Sequence, residues 1–357
     1  MEIKVSSTIE EFERLRTAWT AIVEKMTDAT PFQTWEMNYY WLQAHPEGEL
    51  FLIKAQESQV VFGIAPLMIK ESSIQFIGDV HFDYGQFISA ERKREIAELF
   101  YNKIKEVAKE KKLEIRLTNI PIQSDAFALC RENTGRFTHF VWREQEDTAN
   151  IKLDEYDGFE GYLKAISASL RRKAIKPCLK ETLVYEIEQY SDELWRDIES
   201  IYQNRQEDRI GVSTLDWAKD IVRCMNNEGM LKISTLRYDE KRVAYLLFFE
   251  YNNCDYVWLT AFMKMEKLQL GHYIRYCLIH SAFERGIRKI DMMRGAYSYK
   301  KQWDCNVSVN YDFIVFTNGW NRLTYITWKN IRSKIKAVVY GNEKIYKWYK
   351  EKWSKRK

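Results

Sequence analysis

The hydrophobic pattern divides the chain into alternating stretches of helical and strand-like period. Between residues 8 and 26, apolar side chains return every third or fourth position (Ile9, Phe12, Leu15, Trp19, Ile22, Val23), which predicts an amphipathic helix with one buried face. Asp28 to Pro31 interrupts that rhythm, and TPFQTWEMNYYWLQAH (Thr30 to His45) begins a second helix. Three β-branched and aromatic runs follow, LFLIKAQ, VVFGIAPLMIK and SIQFIGD, separated by polar turns and read as an antiparallel meander. A helix over 91–111 with a charged outer side, the strand LEIRLTNI, and an outgoing strand in FTHFVWREQEDTANIKL complete the first half.

The second half repeats this order. FEGYLKAISASLRRKAIKPCLKE predicts a helix ending near Pro177, followed by the strand LVYEIEQY and helices over 191–205 and 214–227. LKISTLRY, RVAYLLFFEY and DYVWLTAF come next as strands, joined by turns at Asp239-Glu240 and Asn252-Asn253 short enough to pair them antiparallel. A helix from Gly271 to Gly286, the strands IRKIDMMRG and VNYDFIVFT, and a long basic helix end the chain. Meander, helix and strand therefore occur twice, which predicts a duplicated architecture, although no residue-level repeat is visible.

Length and composition sharpen this picture. The 357 residues exceed one ordinary core, so two domains are expected. Aromatics reach 15%, which fits large interfaces or a stacking pocket as well as core filling. No run approaches the ~20 apolar residues that span a bilayer, and the first residues lack a signal-peptide pattern, so a cytoplasmic protein is expected. The six cysteines are scattered without a CxxC pair, which fits reduced thiols. Cys305 in WDCN is the one to weigh as a nucleophile, against a semi-buried thiol. His272 and His280 lie two turns apart with no third ligand nearby, so no metal site is expected.

The net charge of +4 is unevenly spread. Arg322 to Lys357 carries twelve Lys or Arg against two Glu, leaving the preceding residues mildly acidic, with 43 basic against 49 acidic side chains. Nucleic acid is therefore not an expected partner. The basic tail also contains Trp328, Tyr340, Tyr346, Trp348, Tyr349 and Trp353, a pattern that suits either an anionic membrane surface or a helix packed on the body.

Two segments can hold chemistry. DYVWLTAFMKMEKLQLGHYIRYCLIHSAFERGIRKIDMMRG reads as strand, helix and parallel strand. Its helix start at Leu270, Gly271 and His272 offers unpaired N–H groups to a phosphate, with Lys264 and Lys267 just before it. The alternative is a plain helix start with solvated lysines. DMMRGAYSYKKQWD gathers Arg294, Tyr297, Tyr299, Lys300 and Trp303 in a loop beyond a parallel strand, where α/β sheets bind ligands. An aromatic-basic surface loop is the other reading.

These blocks resemble the FemAB-related, GNAT-like acetyltransferases associated with cellulose or other polysaccharide biosynthesis. The likeness is carried by FEGYLKAISASLRRKAIK, by RVAYLLFFEYNNCDYVWLTAFMKMEKLQLGHYIRYCLIHSAFERGIRKIDMMRGAYSYKKQWD, and in the first half by TPFQTWEMNYYW and HFDYGQFI. It spans most of residues 30–304. It implies an α/β (α+β) fold of two tandem GNAT-like domains with mixed, mainly antiparallel sheets: 1–152, 153–320 with the donor site, and a basic helical tail at 321–357. It further implies acetyl-CoA or another acyl-CoA as donor, its pantetheine amides lying along Leu259, Thr260, Ala261 and Phe262 as an added strand. The pyrophosphate would sit at Gln269, Leu270, Gly271 and His272. A departure is that His272 and Tyr273 stand where the usual loop has a second small residue.

The resemblance makes the reaction an amine attack on a thioester, with the acceptor an amino sugar or related cell-surface precursor. Asp83 is the candidate base, with a capping or turn aspartate as the alternative, Tyr299 the candidate acid, and Lys300 with Arg294 the holders of an anionic part of donor or acceptor. Tyr84, Tyr297, Trp303, Arg171 and Arg172 complete the expected substrate site. For Arg171, Arg172 and Lys173 a solvated helix face is the alternative. Other readings are a FemAB-type ligase with an aminoacyl-tRNA donor and a non-catalytic scaffold in a membrane-associated polysaccharide-synthesis complex.

Overall fold

The computed structural model describes residues 1–206, 214–295 and 299–341. The first half runs β1 (Glu2–Ser6), α1 (Ile9–Arg14), α2 (Arg16–Lys25), α3 (Trp35–Ala44), β2 (Glu49–Glu57), β3 (Val60–Lys70), β4 (Ser73–Phe76), β5 (Ile88–Ser89), α4 (Lys93–Lys111), β6 (Glu114–Pro121), α5 (Asp125–Asn133) and β7 (Phe140–Lys152). The second runs α6 (Gly158–Ala165), α7 (Ala168–Leu170), α8 (Lys176–Cys178), β8 (Leu183–Glu188), α9 (Asp192–Gln206), α10 (Asp216–Asn227), β9 (Leu231–Tyr238), β10 (Lys241–Tyr251), β11 (Cys254–Phe262), α11 (Leu270–Glu284), β12 (Lys289–Arg294), β13 (Asn306–Val315) and α12 (Gly319–Gly341).

Local chemistry places the boundaries. Thr8, Thr34 and Ser124 each accept a backbone N–H in the first turn of α1, α3 and α5. Asp239-Glu240 and Asn252-Asn253 all have positive φ, between 47° and 62°, as tight two-residue hairpin turns require. The helix expected from Phe159 to Pro177 is instead broken: α6 stops at Ile166, and a π-turn over Arg171–Ile175 precedes α8. Pro177 has no N–H to return to the carbonyl of Lys173, which instead accepts from Gln269 Nε2 at 3.4 Å. β1 and α5 were not foreseen from the pattern, because each is short and only weakly amphipathic.

All the strands join one mixed sheet, ordered β1-β2-β3-β4-β6-β13-β7-β12-β11-β10-β9-β8, with β5 on β3. β13, from the second half, lies between β6 and β7 of the first, and β7 pairs with β12 of the second. The halves are thus stitched by strands as well as by side chains. α1–α3 of the first half and α9–α10 of the second share a core in which Trp19, Phe32 and Trp41 pack with Trp195, Ile221 and Phe249. Much of the aromatic content is spent on this seam. Separate apolar clusters underlie α4–α5 and α11.

In each half the third meander strand pairs parallel with the strand after the next long helix, for three residue pairs only. The contacts are Ser73↔Glu114 to Gln75↔Arg116 in the first and Cys254↔Lys289 to Tyr256↔Asp291 in the second. Beyond them, both pairs fork.

Candidate active site

The second fork opens because both prongs carry a bulge. Trp258 is an extra residue in β11, between the pairs Leu247↔Leu259 and Phe248↔Val257 of the neighbouring ladder. In β12 the register against β7 shifts between Asp291 and Arg294, where Met293 has φ 60°. Bulges bend a strand away from its neighbour. The unusual backbone at Met293 is held on every side: Asp291 Oδ1 accepts its N–H at 2.9 Å, and Lys300 Nζ donates to the carbonyls of Met292, Met293 and Arg294 at 2.7, 3.0 and 2.8 Å. Between the prongs lies a cavity of about 750 Å³. Beyond Tyr256 the ladder between β11 and β12 stops, and the β11 edge faces that space.

Of the residues expected to hold the donor, Leu259, Thr260, Phe262, Lys264, Gln269, Gly271 and His272 line the cavity. Ala261 and Leu270 are fully buried behind the wall, and Lys267 is exposed outside it. At the start of α11 no side chain caps the helix. Its first-turn amides lie at the cavity edge beside Lys264, a favourable setting for an anion. Gly271 is required on structural grounds too. A Cβ there would come within 2.3 Å of the Phe262 ring, so the ring fills the space a side chain would take. His272 stacks on Trp303 with ring centroids 5.9 Å apart. Burial, with a smaller push from Arg275, lowers its pKa to about 4, so the imidazole is neutral at pH 7.

The residues expected to do chemistry divide into two groups. Tyr299 lines the cavity, its hydroxyl 3.4 Å from Arg275 Nη2. Asp83 also reaches it, but both its oxygens are engaged by Arg294: Oδ2 accepts the backbone N–H at 3.0 Å and Oδ1 the Nε–H at 2.6 Å. Arg294 donates further to Asn119 Oδ1 at 3.0 Å and to the Val80 carbonyl. This pair is an interlock between the halves, and the expectation of Asp83 as a free base does not match its bonding. Lys300 is 3% exposed with three carbonyl partners; burial, then the nearby Arg275, brings its pKa down to about 8.

Four expected substrate contacts stand away from the cavity. Tyr84 is buried and donates to Asp291 Oδ1 at 2.8 Å. Trp303 is fully buried behind His272. Arg171 and Arg172 sit on the π-turn, outside the cavity wall, and Tyr297 lies outside the described residues. Cys305 is half-buried with its thiol 3.7 Å from Met292 Sδ, and burial pushes that thiol up to about 12, which suits the semi-buried reading rather than the nucleophile.

Arg275 is the residue that the sequence reading passed over. It follows Gly271 by one helical turn, is 8% exposed, and lines the cavity. Trp258, Met263, Met265, Met292 and Met293 add an apolar, adaptable wall. The i, i+4 relation of Gly271 and Arg275 was the available signal, masked by a helix that is apolar on most faces.

Comparison with known proteins bears on this site. Residues 170–301, which include the fork, match the family model described as an acetyltransferase (GNAT) domain. No curated protein sequence matches the chain. Among solved structures the fold is similar to FemX, at 13% identity over 90% of this chain and 99% of that one, with a TM-score of 0.65. It is also similar to L-PGS from Bacillus licheniformis (13% identity, 89% of this chain, 95% of that chain, TM-score 0.58). A third likeness is to a tandem GNAT protein from the clavulanic acid biosynthesis pathway (13% identity, 89% and 99% covered, TM-score 0.56).

Proposed function

We propose that the chain is an acyltransferase of the FemAB-related, GNAT-like type, built as two tandem domains, and that it moves an acetyl or other acyl group from a coenzyme A thioester onto an amine of an amino sugar or another cell-surface precursor. The open fork between β11 and β12 carries this reading, because the β11 edge that β12 leaves beyond Tyr256 and the cavity of about 750 Å³ suit an extended pantetheine arm. In this account residues 1–152 supply the acceptor side, 153–320 hold the donor, and 321–357 form a basic tail. The donor's diphosphate lies at Gln269–His272 with Lys264 beside it.

The amine nitrogen attacks the thioester carbonyl, a C–N bond forms, and the tetrahedral oxyanion collapses with cleavage of the C–S bond. Tyr299 protonates the departing thiolate, and the proton lost by the nitrogen passes through water to restore the phenol. Asp83 and Arg294 shape the wall rather than exchange protons, and Lys300 holds the β12 bulge open. Positioning by this rigid fork supplies much of the acceleration. Calorimetric titration with acetyl-CoA, followed by mass spectrometry of an acceptor panel, tests the reading. Saturable one-to-one binding and an acetylated amine are expected; absence of both overturns it.

A second donor, aminoacyl-tRNA, is the alternative that the FemAB-related resemblance implies. A steep salt dependence of binding to charged tRNA, with none to acetyl-CoA, would select it.

At the other end of the molecule α12 exposes Trp320, Leu323, Trp328 and Ile331, close to one another on one face at helical spacing. Lys105 and Lys109 of α4 and Lys112 just after it flank the segment from which it springs. With the basic tail, this favours contact with the anionic, cytoplasmic face of a membrane. No described helix is long and apolar enough to cross one. Trp320→Ser with Trp328→Ser should abolish co-sedimentation with phosphatidylglycerol vesicles; unchanged sedimentation, or none by the parent chain, removes the idea.

A further inference from the structure

A buried guanidinium is costly unless something compensates its charge. Three cations meet at the inner end of the fork, and two are accounted for. Arg294 is neutralised by Asp83, and the Lys300 amine is saturated by three backbone carbonyls. Arg275 differs. Its partners are the Gly271 carbonyl, the Tyr299 hydroxyl at 3.4 Å, and the Tyr299 ring, 4.9 Å from the guanidinium carbon. Among the described residues no carboxylate pairs with it, and Asp83 is the sole acidic side chain in the cavity wall. A guanidinium has five N–H donors in a fork suited to carboxylate or phosphate. Among the described residues, Arg275 therefore brings a positive charge without a carboxylate partner, and a guanidinium fork, to the cavity.

Its position tells which reactant would use them. The donor's diphosphate has its own place at the first-turn amides of α11, near Lys264. Arg275 lies a turn further along the helix, against Tyr299 and beside Lys300, where the acyl group would meet its acceptor. We propose that Arg275 binds an anionic group of the acceptor, so that the acceptor is an acidic amine carrying a carboxylate or phosphate rather than a neutral amino sugar. This rests on the acyltransferase reading of the fork. The Tyr299 ring, stacked on the guanidinium, holds the fork of donors at a fixed angle for a planar or tetrahedral anion.

The test titrates acetate and inorganic phosphate separately into the full chain with CoA already saturating, so that the diphosphate site is filled. At least one of the two anions should bind the parent protein, and Arg275→Gln should weaken that binding by about tenfold or more while the affinity for CoA changes less than about twofold. Arg275→Lys, which keeps the charge in the fold but loses the fork, should give an intermediate loss. Whichever of the two anions binds more tightly names the acid of the acceptor. No binding of either anion, or equal binding by parent and both variants, overturns the proposal. So does a tenfold loss of CoA affinity in Arg275→Gln, which would assign the guanidinium to the donor. If CoA itself fails to bind the parent chain, the acyltransferase reading falls, while an Arg275-dependent anion site measured without CoA would still stand.

Discussion

The two forks of this molecule are built alike and end differently. In each, a meander strand and the strand after the following helix pair for three residues, then part where the outer prong carries a residue of positive φ, Asn119 (56°) in one and Met293 (60°) in the other. Between β4 and β6 the chain fills its own fork: Gly85 donates to the Asn119 carbonyl at 2.9 Å, and Asn119 Nδ2 donates to the Phe82 carbonyl at 2.7 Å. The cavities left there are about 20 and 10 Å³, against about 750 Å³ between β11 and β12. The plug of the first fork also walls the second, because Asp83 extends from it to grip Arg294 and Tyr84 to reach Asp291. One fork is filled and the other open, and in the proposed reading the first supports the second as the site.

That contrast can be broken at several points. The largest effect is expected at the grip between the forks. Asp83→Ala leaves Arg294 partly buried without its carboxylate, and should cost about 3 kcal/mol or more in urea unfolding. A loss below about 1 kcal/mol would mean that the plug does not hold the second fork. Gly85→Ala comes next, since its Cβ would stand 2.2 Å from the Thr118 carbonyl, a backbone atom with little room to yield. It should lower stability by about 1–3 kcal/mol while leaving acetyl-CoA affinity within about twofold. Gly271→Ala, the counterpart in the open fork, instead meets the Phe262 ring, which can swing into the cavity. Its main effect should appear in calorimetry, as acetyl-CoA binding about tenfold weaker, near 1.4 kcal/mol.

The smallest effect is a pH dependence. Folded His272 refuses a proton until about pH 4, whereas the unfolded chain takes it up near 6.5. The unfolded state binds more protons across that window, so the contribution of His272 to stability is full above pH 6.5 and is lost as pH falls toward 4. The site is partly open, so the change should be about 1 kcal/mol, less than the shift alone implies. His272→Gln should flatten the stability profile in that range, relative to the parent; parallel profiles would show a solvated imidazole.

Much of this was legible in the sequence. Apolar period and turn residues located the meanders, the long helices and the parallel strand after α11, because each is long or strongly patterned. The slot itself came from the family resemblance, laid onto the order of β11, α11 and β12. The details that decide chemistry were not legible. Whether Asp83 is free or clamped depends on Arg294, more than 200 residues away in sequence, and the three carbonyls around Lys300 come from a bulge that no local pattern announces. Trp303 reads as a loop residue and is fully buried. The closure of the first fork depends on Gly85 and Asn119 meeting across it, a packing event without a periodic trace. Arg275 was hidden by the opposite cause, a helix buried so widely that one charged position looked incidental.

Hydrogen–deuterium exchange with and without acetyl-CoA reads both forks in one experiment and tests the central claim most directly. Amides of Val257–Phe262 and Gln269–His272 should gain protection with ligand, while those of β4, β6 and residues 77–86 stay unchanged. Protection confined to the first fork, or none along β11 at saturating acetyl-CoA, would contradict the account.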